Sequence, residues 1–340
     1  MTNDIRVILG LMVQGPDPKL GARMTELDDT KKALDIFQER GYKELDTARI
    51  YVGGLQEGWT RQAGWKERGL SIATKVFAAP LGMHKPDKFT ESFETSLKEL
   101  GTDSVDILYL HAPDRSVPFA ETLEAADKLH KAGKFKQLGL SNFAAFEVAE
   151  VVLTCANNGW VRPTIYQAHY NCLARSIEDD LIPACRRYGL QVVIYSPIAG
   201  GFLSGAIKSK HDNPTEGRFK ESPFQQFTRG RYFKDGIIEG AQLIANASEK
   251  AGLSPFEVAM RWLVHHSKLD VKNGDGVIIG FSNLDQLKDN LDYLEKPALP
   301  DDLVEVLEQA WKLAKGECAL YFLEVPQYTY DAKQVLFGTK

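Results

Sequence analysis

Cysteine is scarce in this chain. Four of 340 residues are cysteine, Cys155, Cys172, Cys185 and Cys318, and none forms a Cys-x-x-Cys pair. A disulfide scaffold and the common zinc and thiol-redox motifs are excluded, and reduced, mostly buried thiols in a cytosolic protein are expected. No apolar run reaches the roughly 18 residues of a membrane helix. Met1-Thr2-Asn3-Asp4-Ile5-Arg6 lacks the basic-then-apolar build of a signal peptide, and Phe337-Gly338-Thr339-Lys340 is no address signal. A cytoplasmic location without membrane partners is expected. Positive charge is not in excess: 41 Lys and Arg against 46 Asp and Glu leave −5, which disfavours a nucleic-acid partner. No metal-ligand spacing occurs, and the adjacent His265 and His266 point in different directions on a helix, so no metal is expected. Two glycine signatures are missing as well. No Gly-x-Gly-x-x-Gly follows an early β-like run, and no Gly-x-x-x-x-Gly-Lys-Ser/Thr phosphate loop exists.

What is present is an alternation. Eight β-like runs occur, at Arg6–Leu11, Glu44–Asp46, Leu70–Lys75, Val105–His111, Gln137–Ser141, Thr164–His169, Leu190–Tyr195 and Gly276–Gly280. Several are almost wholly apolar, as suits strands buried on both faces of a parallel sheet. Helical patterns separate them. Asp28–Arg40, Thr122–Ala132, Ala144–Ala156, Ile177–Tyr188 and Ser254–His265 carry start or stop signals. Lys88–Leu100 places Phe89, Phe93, Leu97 and Leu100 on one stripe before Gly101. Strand then helix, repeated, leaves an open doubly wound sheet or a (β/α)₈ TIM barrel. Eight units and the missing dinucleotide fingerprint favour the barrel. Past Tyr195 the rhythm breaks in Pro197–Phe233, a long loop holding Gly200, Gly201, Gly205, Gly217, Gly230, Pro214 and Pro223. A loop of that length after strand seven suggests a binding lid, or else a surface insertion. Asp285–Leu294 and Asp301–Lys315 are helical by pattern, and Glu324–Lys340 has no period. One barrel domain over residues 1–323, with a tail over 324–340, is expected.

Barrel enzymes place their chemistry at the C-terminal ends of the strands. Those ends carry Asp46, Lys75, His111, Ser141-Asn142, Gln167 with His169, and Tyr195-Ser196. Lys75, in or at the mouth of a barrel, needs a partner; Asp46, from the next strand, is the natural one. Tyr51 follows Asp46 by five residues, close enough to bring its phenol over the same rim. An ammonium beside it lowers the phenol's pKa, and His111 can hydrogen-bond a substrate oxygen or share a proton with it. Each residue alone also allows a structural role: an ion pair, a packed tyrosine, a satisfied histidine. No nucleophile lies beside a base, so acyl transfer is not suggested. A phenol and a histidine over an open pocket can protonate a carbonyl oxygen as it gains charge, provided a cofactor supplies hydride.

These residues resemble the aldo-keto reductases over nearly the whole chain, from about Val7 to Phe322. Asp46-Thr47-Ala48-Arg49-Ile50-Tyr51 resembles that family's Asp-Thr-Ala-x-x-Tyr. Its Asp, Tyr, Lys, His tetrad falls on Asp46, Tyr51, Lys75 and His111, and Lys136–Phe143 resembles its second signature. The aflatoxin aldehyde reductase group is the nearest match. Tyr195-Ser196-Pro197-Ile198-Ala199-Gly200-Gly201-Phe202-Leu203-Ser204-Gly205 resembles its nucleotide-binding loop, and Ser282–Asn290 its second cofactor segment. The resemblance implies a (β/α)₈ barrel and NADPH-dependent reduction of a small-molecule aldehyde or ketone. It makes Tyr51 the general acid, Lys75 the residue that tunes it, Asp46 the anchor and His111 the orienting donor. NADP(H) would meet Ser141, Asn142, Gln167 and Tyr195 at the nicotinamide, and Ser196, Pro197, Gly201, Leu203 and Gly205 along the loop. Ser282, Gln286 and Asn290 would lie at the adenosine end, with Arg218 a candidate for the 2′-phosphate.

One departure stands out. The group commonly ends in aromatic-aromatic-Arg, and that arginine binds substrate carboxylates; here the run is Tyr321-Phe322-Leu323. Leucine pairs with no carboxylate, so a more apolar, aromatic-lined pocket is expected unless Arg229 or Arg231 compensates. Two other readings stay open: a nucleotide-binding regulatory subunit resembling the potassium-channel β-subunits, and a ketoreductase narrow for one secondary metabolite. The resemblance also leaves room for a homodimer.

Overall fold

Eight parallel strands pair in sequence order and close on themselves. The computed structural model describes residues 5–215, 217–220 and 225–338. Met1 to Asp4, Pro223, Thr339 and Lys340, used above, lie outside them. The strands are β1 (Arg6–Gly10), β2 (Glu44–Asp46), β3 (Ser71–Val76), β4 (Val105–Leu110), β5 (Phe135–Ser141), β6 (Pro163–His169), β7 (Gln191–Tyr195) and β8 (Gly276–Ile279). Closure is made by β1 against β8, with Val7 opposite Val277 and Leu9 opposite Ile279. The outer helices are α1 (Leu27–Glu39), α2 (Gln56–Gln62), α3 (Pro86–Leu100), α4 (Phe119–Lys131), α5 (Ala145–Asn158), α6 (Leu181–Tyr188), α7 (Gln225–Tyr232), α8 (Asp235–Lys250), α9 (Pro255–His265), α10 (Leu284–Leu294), α11 (Asp301–Ala314) and α12 (Ala332–Phe337). This is the (β/α)₈ barrel, with extra helices after β8.

Local chemistry explains the boundaries. Pro86 starts α3 two residues before the expected Lys88, since proline suits a helix's first turn. Gly101, in the left-handed region at φ 70°, ends it, and the stripe Phe89, Phe93, Leu97 and Leu100 is buried. Asp180 caps α6 by accepting from the Leu181 amide, which puts the start four residues after Ile177. Four helices, α2, α7, α8 and α12, have no range in the sequence pattern. The buried face of α2 is Gln56, Glu57, Gly58 and Thr60, so it has no apolar stripe. The short α7 interrupts the long loop, and α12 lies in the tail, capped by Asp331.

Two apolar layers result. Inside the barrel pack Ile8, Ala73, Ile107, Tyr109, Ile165, Val193 and Ile278. Between barrel and helices runs the larger core, including Phe37, Phe89, Phe93, Val192 and Trp262. Each such side chain contributes about 1.5–3 kcal/mol when buried. Cys155, Cys172 and Cys185 belong to this layer, and burial pushes their thiols up to about 12, which keeps them unreactive. Gly139 on β5 makes room for the Tyr109 ring. A Cβ there would lie 2.3 Å from Tyr109 Cδ1 and 3.0 Å from Ile165 Cγ2. Gly139→Ala is therefore expected to destabilise the barrel by about 1–3 kcal/mol. A urea midpoint equal to that of the parent chain would show that the interior yields.

Candidate active site

The site is built where β2, β3 and β4 end. Asp46 closes β2, Lys75 is the penultimate residue of β3, and His111 follows the last residue of β4. Lys75 is wholly buried and Asp46 nearly so. Lys75 Nζ donates to Asp46 Oδ2 at 2.6 Å and to the Thr47 carbonyl at 2.6 Å. Its third donor faces the Tyr51 hydroxyl at 3.3 Å. The Tyr51 and His111 rings meet edge to face, centroids 5.8 Å apart, and Phe77 flanks His111 at 5.2 Å. All four rim residues named from the sequence thus converge on one point.

The electrostatics follow from burial. Desolvation drives Lys75 below the usual ammonium range, opposed by Asp46 and Glu57. Burial, and then the Lys75 charge, drive His111 well below 6.5, so the imidazole is neutral. Its Nδ1 is buried and has no hydrogen-bond partner among the described residues. Sequence reasoning expects Lys75 to lower the Tyr51 pKa, and here the sign is reversed. Burial first, then the Asp46 and Tyr195 charges, raise the phenol well above 10, with Arg218 opposing. The dry surroundings penalise the phenolate more than nearby cations favour it. Tyr51 is consequently held protonated, as a proton donor requires.

The β5–β7 side of the rim is a second set of linked side chains. Gln167 donates to Asp46 Oδ1 at 2.8 Å. Asn142 donates to the His111 carbonyl at 2.8 Å and to Ser141 Oγ at 3.0 Å. Tyr195 donates to Asn142 Oδ1 at 2.9 Å, and Arg231 donates to the Tyr195 hydroxyl at 3.0 Å. Ser141, Asn142 and Tyr195 therefore form one hydrogen-bonded group anchored on the His111 carbonyl, while Gln167 separately holds the ion pair through Asp46. His169 meets the Tyr232 hydroxyl at 2.7 Å, which fixes the end of α7 to β6. Arg229, in contrast, donates to the carbonyls of Asp212 and Lys210, within the long loop.

The loop after β7 turns through Ser196, Pro197, Gly201, Leu203 and Gly205. Ser196 takes a left-handed φ of 61°, and its carbonyl accepts from Asn171. Gly201 and Gly205 have φ of 93° and 69°, and Leu203 is buried. A Cβ on Gly205 would come within 2.6 Å of Ala245, so glycine is required there. Arg218 lies across Gly200 and donates to Met12 Sδ at 3.3 Å. Farther round the barrel, Gln286 accepts from the Ser282 amide at 2.9 Å, and Asn290 uses its amide on the Gly280 carbonyl. This cluster is not part of the catalytic point. It connects instead to Arg23, which donates to Ser282 Oγ at 3.2 Å.

Arg23 was not visible in the sequence, because barrel closure alone brings it to a residue 259 positions away. Burial, and then the Arg218 charge, lower its pKa, and burial lowers that of Arg218. Two guanidinium groups thus face one space, their described hydrogen-bond partners being a hydroxyl and a thioether.

Strain concentrates on this rim. Among the described residues, non-glycine positive φ occurs at Val52, Asn142, Ser196, Ala199 and Leu323, and the first four follow β2, β5 and β7. Such conformations collect at functional sites.

The chain is similar to known proteins along most of its length. The model of the aldo/keto reductase family matches residues 6–312. An aldo-keto reductase of Pseudocercospora fijiensis is 41% identical over 296 residues, which is 85% of this chain and 99% of the relative. Human aflatoxin B1 aldehyde reductase member 4 is 41% identical over 315 residues, covering 90% of this chain and 95% of the relative. Human aldo-keto reductase family 7 member A3 is 40% identical over 314 residues, covering 89% and 95%. A barrel with this rim, matched along nearly its full length, belongs to the aldo/keto reductase family and is an oxidoreductase.

Proposed function

We propose that this chain reduces aldehydes or ketones to alcohols with NADPH, and that Tyr51 donates the proton. The observation that carries the reading is the contact of the protonated Tyr51 hydroxyl with Lys75, 3.3 Å away, itself fixed by Asp46 at 2.6 Å. A carbonyl oxygen seated between Tyr51 and His111 meets one acidic hydroxyl and one neutral ring. Lys75, behind the phenol, stabilises the charge left on it as its proton departs. Bound at this rim, the reduced nicotinamide supplies the hydride. Asn142, Gln167 and Tyr195 would hold and stack its ring. The Arg23 and Arg218 guanidiniums suit phosphate, including the 2′-phosphate that separates NADPH from NADH. The test is the loss of NADPH absorbance with 4-nitrobenzaldehyde, beside NADH as control. Turnover with NADPH, much slower with NADH, is the expected result.

The substrate class follows from the walls. Phe77, Tyr51 and His111 form an aromatic face at the reacting point. By the sequence resemblance Leu323 replaces the arginine that binds substrate carboxylates, and Arg229 is spent inside its loop. Arg231, at the Tyr195 hydroxyl, is the one arginine of that pair on the rim. A neutral aromatic aldehyde is therefore expected to exceed its carboxylated analogue in kcat/KM by about tenfold. Preference for the acid would assign carboxylate binding to Arg231.

A further inference from the structure

Beneath Tyr51 lies a buried polar cluster with no direct part in carbonyl reduction. Glu57, on α2, has a wholly buried side chain. Its Oε2 accepts from Arg49 Nη1 at 2.5 Å, and its Oε1 accepts from Thr74 Oγ at 2.6 Å. Thr74 precedes Lys75 on β3, and their side chains leave opposite faces of the strand. Arg49 makes two further links. Its Nη2 donates to the Gly54 carbonyl, and its backbone amide donates to the Lys75 carbonyl at 3.2 Å.

The loop enclosed by these bonds carries the phenol. Directly after Tyr51, three residues in a row are left-handed: Val52 at φ 49°, Gly53 at 61° and Gly54 at 90°. A β-branched residue such as Val52 holds that conformation only when its surroundings enforce it. The guanidinium lies flush on Gly54, where a Cβ would meet Nη2 at 2.5 Å. The planar fork therefore joins the loop bearing Tyr51 to the helix bearing Glu57, and Glu57 is tied in turn through Thr74 to the strand bearing Lys75. A geometry fixed in this way is what proton transfer from a positioned donor demands.

We propose that Arg49, through Glu57 and the Gly54 carbonyl, is a positioning residue that sets the Tyr51 hydroxyl against Lys75. The proposal rests on Tyr51 being the proton donor. It differs from a purely stabilising role in a measurable way: Arg49 should matter to turnover only while Tyr51 has a hydroxyl to position.

The experiment compares Arg49→Met, Arg49→Lys, Tyr51→Phe and Arg49→Met/Tyr51→Phe in the full chain. Folded sites are counted by stoichiometric NADPH titration. Arg49→Met is expected to lower kcat per site by about tenfold or more, with the NADPH Kd within about twofold. Arg49→Lys keeps a charge on buried Glu57, so it folds where the methionine variant fails to. Its point-like head cannot also bridge to Gly54, so the kcat deficit should persist. The double variant should be no slower than Tyr51→Phe alone, since the two residues act as one unit. Parent kcat in either Arg49 variant beside an inactive Tyr51→Phe would overturn the proposal and leave the Tyr51 reading standing. Losses that multiply in the double variant would overturn it as well. A fully active Tyr51→Phe would sink the Tyr51 reading itself, and this proposal with it.

Discussion

Replacing Tyr51 by phenylalanine is expected to lower kcat by about 10²–10⁴-fold, with the NADPH Kd nearly unchanged. The substitution removes one oxygen, and that oxygen is the group 3.3 Å from Lys75. The ring and its edge-to-face contact with His111 remain, so the loss reports the proton and not the packing. The pH dependence sharpens the expectation. A general acid works only while protonated, so its activity disappears as pH rises through its pKa. Burial, Asp46 and Tyr195 raise that value well above 10, which places the descending limb beyond the neutral range. His111, held well below 6.5, is already neutral there and adds no second limb. The kcat profile should be flat from about pH 7 to about pH 9. A fall centred near neutrality would assign the proton to another group. NADPH binding without turnover, over a panel of aldehydes and ketones, would instead favour a regulatory subunit or a narrow ketoreductase.

Much of this site is legible in the sequence for a geometric reason. Parallel strands of a barrel all end on one face, so polar residues at those ends must meet. Asp46, Lys75 and His111 follow from that rule, and Tyr51 follows from its short tether to Asp46. Long-range closure and polar burial hide the rest. Arg23 reaches Ser282 only because β1 pairs with β8. The helix α2 buries Gln56, Glu57 and Thr60 where an apolar stripe is normally sought, so neither the helix nor the Glu57 cluster has a periodic signal. The reversed sign at Tyr51 has the same origin. Charges can be placed from a sequence, but the dryness around a phenol cannot, and there dryness outweighs the charges.

The Asp46–Lys75 pair makes the second large effect separable into stability and catalysis. Lys75→Met removes the ammonium and leaves Asp46 buried, with Gln167 donating to its Oδ1 and the charge uncompensated. Breaking one half of a buried pair costs about 3–5 kcal/mol, a large part of what holds an ordinary domain folded. Adding Asp46→Asn removes the stranded charge and keeps an oxygen to accept from Gln167. The double variant should therefore regain most of the lost stability, measured as the urea midpoint. It should regain no activity, because nothing then stands behind the phenol to stabilise the charge left by its proton. If Lys75→Met unfolds at the parent midpoint, the pair is not the buried, mutually dependent unit that its 2.6 Å contact describes. If the double variant recovers turnover together with stability, the ammonium serves the fold alone, and Tyr51 delivers its proton without it.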